Sequence, residues 1–137
     1  MGEIAGGKNR RKRKSRVSAA EHLVMGELSR RGFDVELSTR EQHFVLVRLG
    51  DSPPKAVQVK TVSSTPWYVR YASFAKRADQ VTVYVLLAAD RMRPARFFVA
   101  KNSDLASQVW QPPTWNAFGL IDEKSVEKYE DNWDLLR

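Results

Sequence analysis

Two alternating runs, "HFVLVRL" (43 to 49) and "KAVQVKTV" (55 to 62), stand on either side of "GDSPP". This arrangement constrains the fold more than any other stretch of the chain. In both runs apolar side chains recur at every second position, the period of a strand with one buried face. The intervening Gly-Asp-Ser-Pro-Pro is turn-forming by composition, so the two runs fold back on each other as a hairpin. With the turn centred near Ser52 and Pro53, Lys60 is predicted to pair with residues near Val45. Gln58 and Lys60 then share one face of their strand, and Val57 and Val59 the other.

The segments around this hairpin supply an α/β fold. Ser18 is a good N-cap, with Glu21 three residues on as a capping box. The helix it opens runs through "AAEHLVMGELSRR" and ends at Gly32. A helical wheel places Ala20, Leu23, Val24 and Leu28 on the buried arc, with Glu21 and Glu27 inside or beside it. A carboxylate next to an apolar face is costly when unpaired, so at least one of the two needs a partner. "FDVEL" (33 to 37) is a third strand, "VTVYVLLA" a buried central strand and "RFFVA" its neighbour. They are joined by the polar "ADRMRP", where Arg91, Arg93 and the nearby Arg96 read as a charged hairpin tip. "YASFAKRA" and "SDLASQV" have helical character, the second capped by Ser103. "QPPTWNAFG" is a loop whose Trp110, Trp115 and Phe118 are expected to cover a core edge. "SVEKYEDNWDLL" reads as a closing amphipathic helix with a stripe of Val126, Tyr129, Trp133 and Leu136. The order α-β-β-β-α-β-β-α-α implies a mixed central sheet flanked by helices.

Composition narrows the function. At 137 residues, 42% of them apolar, the chain suits one domain with a core. The absence of cysteine excludes disulfides and thiolate metal sites. The longest apolar run, 81 to 89, is far too short to span a membrane, and no apolar leader opens the chain, which points to an intracellular protein, cytoplasmic if bacterial. The net charge of +7 is localised. Residues 1 to 16 contain Lys8, Arg10, Arg11, Lys12, Arg13, Lys14 and Arg16 against one acid, Glu3, and the remainder is nearly neutral. Residues 1 to 17 therefore read as a disordered basic arm suited to phosphates, ahead of a domain at 18 to 137. Within the domain, Trp67 and Tyr68 with Arg70, Lys76 and Arg77 form a candidate nucleic-acid groove, rings for bases and cations for phosphates. No phosphate loop, zinc cluster or catalytic triad is present in the sequence.

Four pieces of sequence resemble the PD-(D/E)xK nuclease superfamily, whose restriction-endonuclease-like fold has an αβββαβ core. They are the opening helix "AAEHLVMGELSRRGFDV", the strand "AVQVKT" with Gln-x-Lys, the passage from Trp67 through "KRADQVTVYVLL", and the closing "YEDNWDLL". The resemblance covers roughly residues 18 to 137. It implies an intracellular protein acting on DNA and, in an active member, Mg²⁺ or Mn²⁺ that lowers the pKa of a bound water. Carried over, Glu21 is the helix acid, Gln58 a carbonyl ligand of the metal and Lys60 the electrostatic catalytic residue. The sequence departs from the family at one point: the Asp expected at the start of the second strand is replaced by "HFVLV", with no carboxylate at Phe44 or Val45. Glu41 and His43 are the nearest substitutes, and a histidine nitrogen suits Zn²⁺ or Mn²⁺ better than Mg²⁺. One carboxylate and one amide hold a divalent cation weakly. The expectation is therefore a nucleic-acid-associated protein with a degenerate, weak or inactive metal site. The alternatives are an active metal-dependent deoxyribonuclease and a non-catalytic module that forms a homodimer through its C-terminal aromatics.

Overall fold

The structure, a computed structural model, describes residues 18–88 and 93–137. The basic arm expected at 1 to 17 lies outside the described residues, as does Arg91. Helix α1 (Ala19–Arg30) starts where Ser18 caps it, the Ser18 Oγ accepting from the Glu21 amide at 3.2 Å. Its end is a Schellman closure: the Phe33 amide donates to Leu28 O and the Gly32 amide to Ser29 O, with Gly32 at a φ of 91°. Phe33 and Leu28 are both buried, so the closure also pins the chain's exit onto the core.

Strands β1 (Asp34–Leu37), β2 (Phe44–Arg48) and β3 (Lys55–Val62) form an antiparallel meander. Strand β4 (Trp67–Arg70) and helix α2 (Tyr71–Lys76) follow, and β5 (Val81–Leu86) returns parallel to β3. Strand β6 (Arg96–Lys101) pairs antiparallel with β5, completing a five-stranded sheet of order β1-β2-β3-β5-β6. The fold is thus mixed α/β with the expected αβββαβ core. Strand β5 is buried along both faces from Val81 to Val85, as a central strand beside a parallel neighbour must be.

The hairpin register differs from the one read off the sequence. Phe44 pairs with Gln58 and Val45 with Val57, so Lys60 lies beyond the start of β2. The reversal is complete earlier than the prolines suggest, because Gly50 adopts a φ of 61° and the Ser52 amide closes on Leu49 O at 3.2 Å. Pro53 and Pro54 then lead extended into β3.

Two apolar layers sandwich the sheet. On one side Ala20, Val24 and Leu28 of α1 pack on Val45, Val57, Val59 and Val83. Leu23, expected on that arc, is 43% exposed, and Glu21 takes the buried position at 5%. On the other side Trp67, Val69, Phe74, Tyr84, Phe98 and Ile121 form the second layer. Strand β7 (Phe118–Ile121) pairs with β4 there as a small antiparallel sheet, so the expected loop "QPPTWNAFG" leads into a strand at Phe118.

The closing helix is not one helix. It divides into α3's successor α4 (Glu123–Val126) and two short 3₁₀ turns, Glu127–Tyr129 and Trp133–Leu136, with α3 being Asn102–Leu105 earlier in the chain. The break falls where Glu130 bridges to Phe98 and the Asp131 amide donates to Phe97 O, Asp131 itself having a φ of 54°. As a result Val126 packs in the second layer and Trp133 and Leu136 in the first. At 0%, 2% and 3% exposure these three side chains are core and are not available as a dimer surface, while Tyr129 is half-buried against the second layer. Arg96 is not at a free hairpin tip either: it donates to both oxygens of Glu130 and to Glu123, fastening the C-terminal segment to β6.

Adjacent residues Trp67 and Tyr68 should respond oppositely to truncation. Trp67→Ala empties a fully buried site and is expected to cost about 3–5 kcal/mol in urea unfolding. Tyr68→Ala, at a half-exposed site, is expected to stay within about 1 kcal/mol of wild type.

Candidate functional site

The polar face of β3 is the centre of the site. Gln58 pairs with Thr82 and Lys60 with Tyr84 across the parallel ladder, so these four side chains share one face of the sheet. Phe44, directly opposite Gln58 on β2, joins them and is 6% exposed. A cavity of about 360 Å³ opens over this face, with Gln58, Lys60, Arg70, Arg77, Gln80 and Asn102 among its lining. A second, of about 340 Å³, adjoins it and includes Ser18, His43, Gln58, Lys60 and Tyr68. Lys60 stands on the ridge between them.

A chain of polar contacts crosses the first cavity. The Gln80 amide donates to Gln58 Oε1 at 2.8 Å, and Arg77 donates to Gln80 Oε1 at 3.3 Å and to Glu41 Oε2 at 3.5 Å. Among the described residues Glu41 is the only carboxylate in the lining, and it is already matched to Arg77. Lys60 donates to the backbone carbonyl of Tyr68 at 3.0 Å, and Arg70 lies over the ring of Phe118 at 5.1 Å. Among the described residues neither cation has a carboxylate partner. Burial without a counter-ion draws the Lys60 ammonium below the ordinary lysine range. The cavity is therefore cationic and suits an anion.

Glu21 faces the other way. Its Oε1 accepts from Ser18 Oγ at 3.0 Å and contacts His43 Nδ1 at 2.9 Å. His43 is held toward it by a φ of 66° at the entry to β2, where its carbonyl accepts from the Val59 amide at 2.7 Å. The partner a buried carboxylate requires is thus supplied by Ser18 and His43, and Glu21 lines neither cavity. Glu27 is satisfied separately by Arg30 and Arg31.

These residues do not make a fitting cage for Mg²⁺ or Mn²⁺. Hard cations need several oxygen donors converging on one point. Gln58 Oε1 is engaged by Gln80, Glu21 by Ser18 and His43, Glu41 by Arg77, and Phe44 presents a ring across from Gln58. No group of three or more His, Asp or Glu side chains that could hold an ion occurs among the described residues.

Of the candidate groove residues, Arg70 and Arg77 line the cavity and Lys76 does not. Trp67 is a correction: it is 1% exposed, its rings meet Tyr84 and Phe98 edge-on, and its Nε1 donates to Val85 O. The strand alternation of β4 sends Trp67 and Val69 inward and Tyr68 and Arg70 outward. Trp115 and Phe118, expected to cover a core edge, are exposed at 38% and 41% beside Tyr68. Gln80 and Asn102 were not singled out in the sequence. The period-two pattern of "WYVR" was the available signal for β4 and hence for Tyr68. Gln80 carries no local signal, since its place depends on where β5 begins.

The strand order, with β5 parallel to β3 and α1 against the sheet, matches the arrangement that the sequence resemblance implies. The structure is similar to that of Archaeoglobus fulgidus Hjc, described as a Holliday junction resolvase from an archaeal hyperthermophile. The two share 17% identity at a TM-score of 0.48, over 79% of this chain and 92% of that one. No protein-family model and no curated protein matches the chain.

The Lys60 shift has a measurable sign. In the unfolded chain Lys60 keeps its proton to higher pH than in the folded one, so stability rises as pH rises from the lowered value to the ordinary lysine value. Tyr84 acts oppositely, since burial pushes its phenol up and unfolding releases that proton at high pH. The two separate by difference. The urea stability of wild type minus that of Lys60→Met should increase from pH 7 upward, and a flat difference would show that Lys60 is not desolvated.

Proposed function

We propose that this chain is an intracellular nucleic-acid-associated protein that uses a nuclease-like fold for binding and has a degenerate metal site. One observation carries the reading. Phe44 occupies the position across from Gln58 where the family resemblance calls for an aspartate, while Lys60, Arg70 and Arg77 keep the adjoining cavity cationic. Phosphate binding needs the cations and survives this change. Hydrolysis needs a metal-held water and does not. The resemblance supports DNA as the nucleic acid, and the arm at residues 1 to 16 supplies seven further cations.

Cleavage tests the inactive centre. Plasmid and single-stranded DNA incubated with Mg²⁺ or Mn²⁺ should remain intact with the wild-type protein. Metal-dependent cutting that Lys60→Ala abolishes would favour the rival, an active endonuclease using Glu21, Gln58, Lys60 and an unconventional ligand such as Glu41.

Salt dependence tests the arm. If its seven cations reach phosphates, the slope of log K against log salt on duplex DNA should become less steep by about 6 when residues 1 to 16 are removed. Equal slopes would take the arm out of the interface, and no binding at low salt in either form would remove nucleic acid from the account.

A further inference from the structure

We propose that the cavity recognises single-stranded nucleic acid, an unpaired base lying on the ring cluster of Tyr68, Trp115 and Phe118 with its phosphate at Lys60 and Arg70. The inference rests on the nucleic-acid reading above and adds the strandedness and the surface that reads it.

The rings form a prepared surface. Tyr68 and Trp115 stack at 6.0 Å between centroids and 21° between planes, with Phe118 lining the same apolar hollow. Their exposures, 52%, 38% and 41%, are high for large aromatics that already contact one another. The small β4–β7 sheet holds Tyr68 and Phe118 in place. Arg70 pairs directly with Phe118 in its register, and Tyr68 lies two residues from Arg70 on the same outward face. Tyr68 and Phe118 also line the cationic cavity, so the aromatic and cationic surfaces are continuous.

That continuity is what selects the ligand. A base offers a flat face for stacking and carries a phosphate on the same nucleotide, matching a ring cluster beside unneutralised cations. In a duplex the faces are buried between neighbouring base pairs, and only phosphates remain for Lys60 and Arg70. The cavity wall beyond the cations is polar and fixed. Asn102 is 3% exposed, its Nδ2 donating to Phe74 O and its amide to Gln80 O, which leaves Oδ1 without a partner.

The test compares three 20-nucleotide probes of equal length with the full chain: a mixed-sequence single strand, its duplex, and an abasic deoxyribose-phosphate strand. Anisotropy titrations should show the single strand binding about tenfold or more tighter than the abasic strand, the size expected of base–aromatic stacking. Its preference over the duplex should be of the same order. Trp115→Ala with Phe118→Ala should remove most of the single strand's advantage over the abasic strand, and an advantage left undiminished would overturn the ring platform. Lys60→Ala should weaken binding of both strands. Should the double variant fold poorly, Phe118→Leu keeps β7 apolar and should still reduce the preference. Equal binding of the single strand and the abasic strand would overturn the stacking while leaving nucleic-acid binding in place. Equal binding of the single strand and the duplex would overturn the strand selectivity. No binding of any probe at low salt would overturn the underlying reading as well.

Discussion

The parallel pairing of β3 with β5 is the constraint on which the rest depends. Two parallel neighbours cannot be joined by a tight turn, so the chain between Val62 and Val81 must cross from one end of the sheet to the other. That crossover holds β4 and α2, and with them Tyr68, Arg70, Arg77 and Gln80. The same ladder places Gln58 beside Thr82 and Lys60 beside Tyr84. The topology therefore delivers the cations of the crossover to the polar face of β3, and the cavity lies between them. Trp67 seals the arrangement by filling the second core layer from the base of the crossover.

The charges of the site follow one electrostatic logic. A half-buried ammonium without a carboxylate is unfavourable in the free protein and becomes favourable when a phosphate arrives. An aspartate at position 44 would neutralise part of that field. The phenyl ring of Phe44 leaves the field intact and covers apolar surface beneath Gln58. Glu21, the other carboxylate near the strand ends, is held by Ser18 and His43 outside the cavity lining. The arrangement favours anion capture over metal capture.

Much of the fold was legible in the sequence because the relevant forces act locally. Ser18 and Gly32 bound α1 through hydrogen bonds within a few residues, period-two patterning marks β2 and β3, and short apolar runs mark β5 and β6. Failures occurred where a distant partner decides. "SVEKYEDNWDLL" has helical spacing, yet its backbone bonds to Phe97 and Phe98 divide it. Strands β4 and β7 are four residues each, too short for their patterning to stand out until they pair with one another. In the site, Gln58, Lys60, Arg70 and Arg77 were readable from residue type and strand position. Trp67 and Tyr68 were not separable, because which of two adjacent aromatics points inward depends on the pleat of a strand not yet recognised. The hairpin register was misplaced because Gly50, rather than the proline pair, makes the reversal.

The clasp of Arg96 on Glu123 and Glu130 has a consequence for how the sheet meets its surroundings. With Glu130 bridged to Phe98, the outer side of β6 is partly covered by the chain's own C-terminal segment. Lateral growth of the sheet is then left to its opposite margin, β1. That strand is four residues long and carries Asp34 and Glu36. A second copy adding antiparallel at β1 would bring these acids against their own counterparts, and like charges directly opposed across a ladder repel. One margin is occluded and the other is guarded by charge, a combination that discourages strand-by-strand polymerisation of a chain rich in valine.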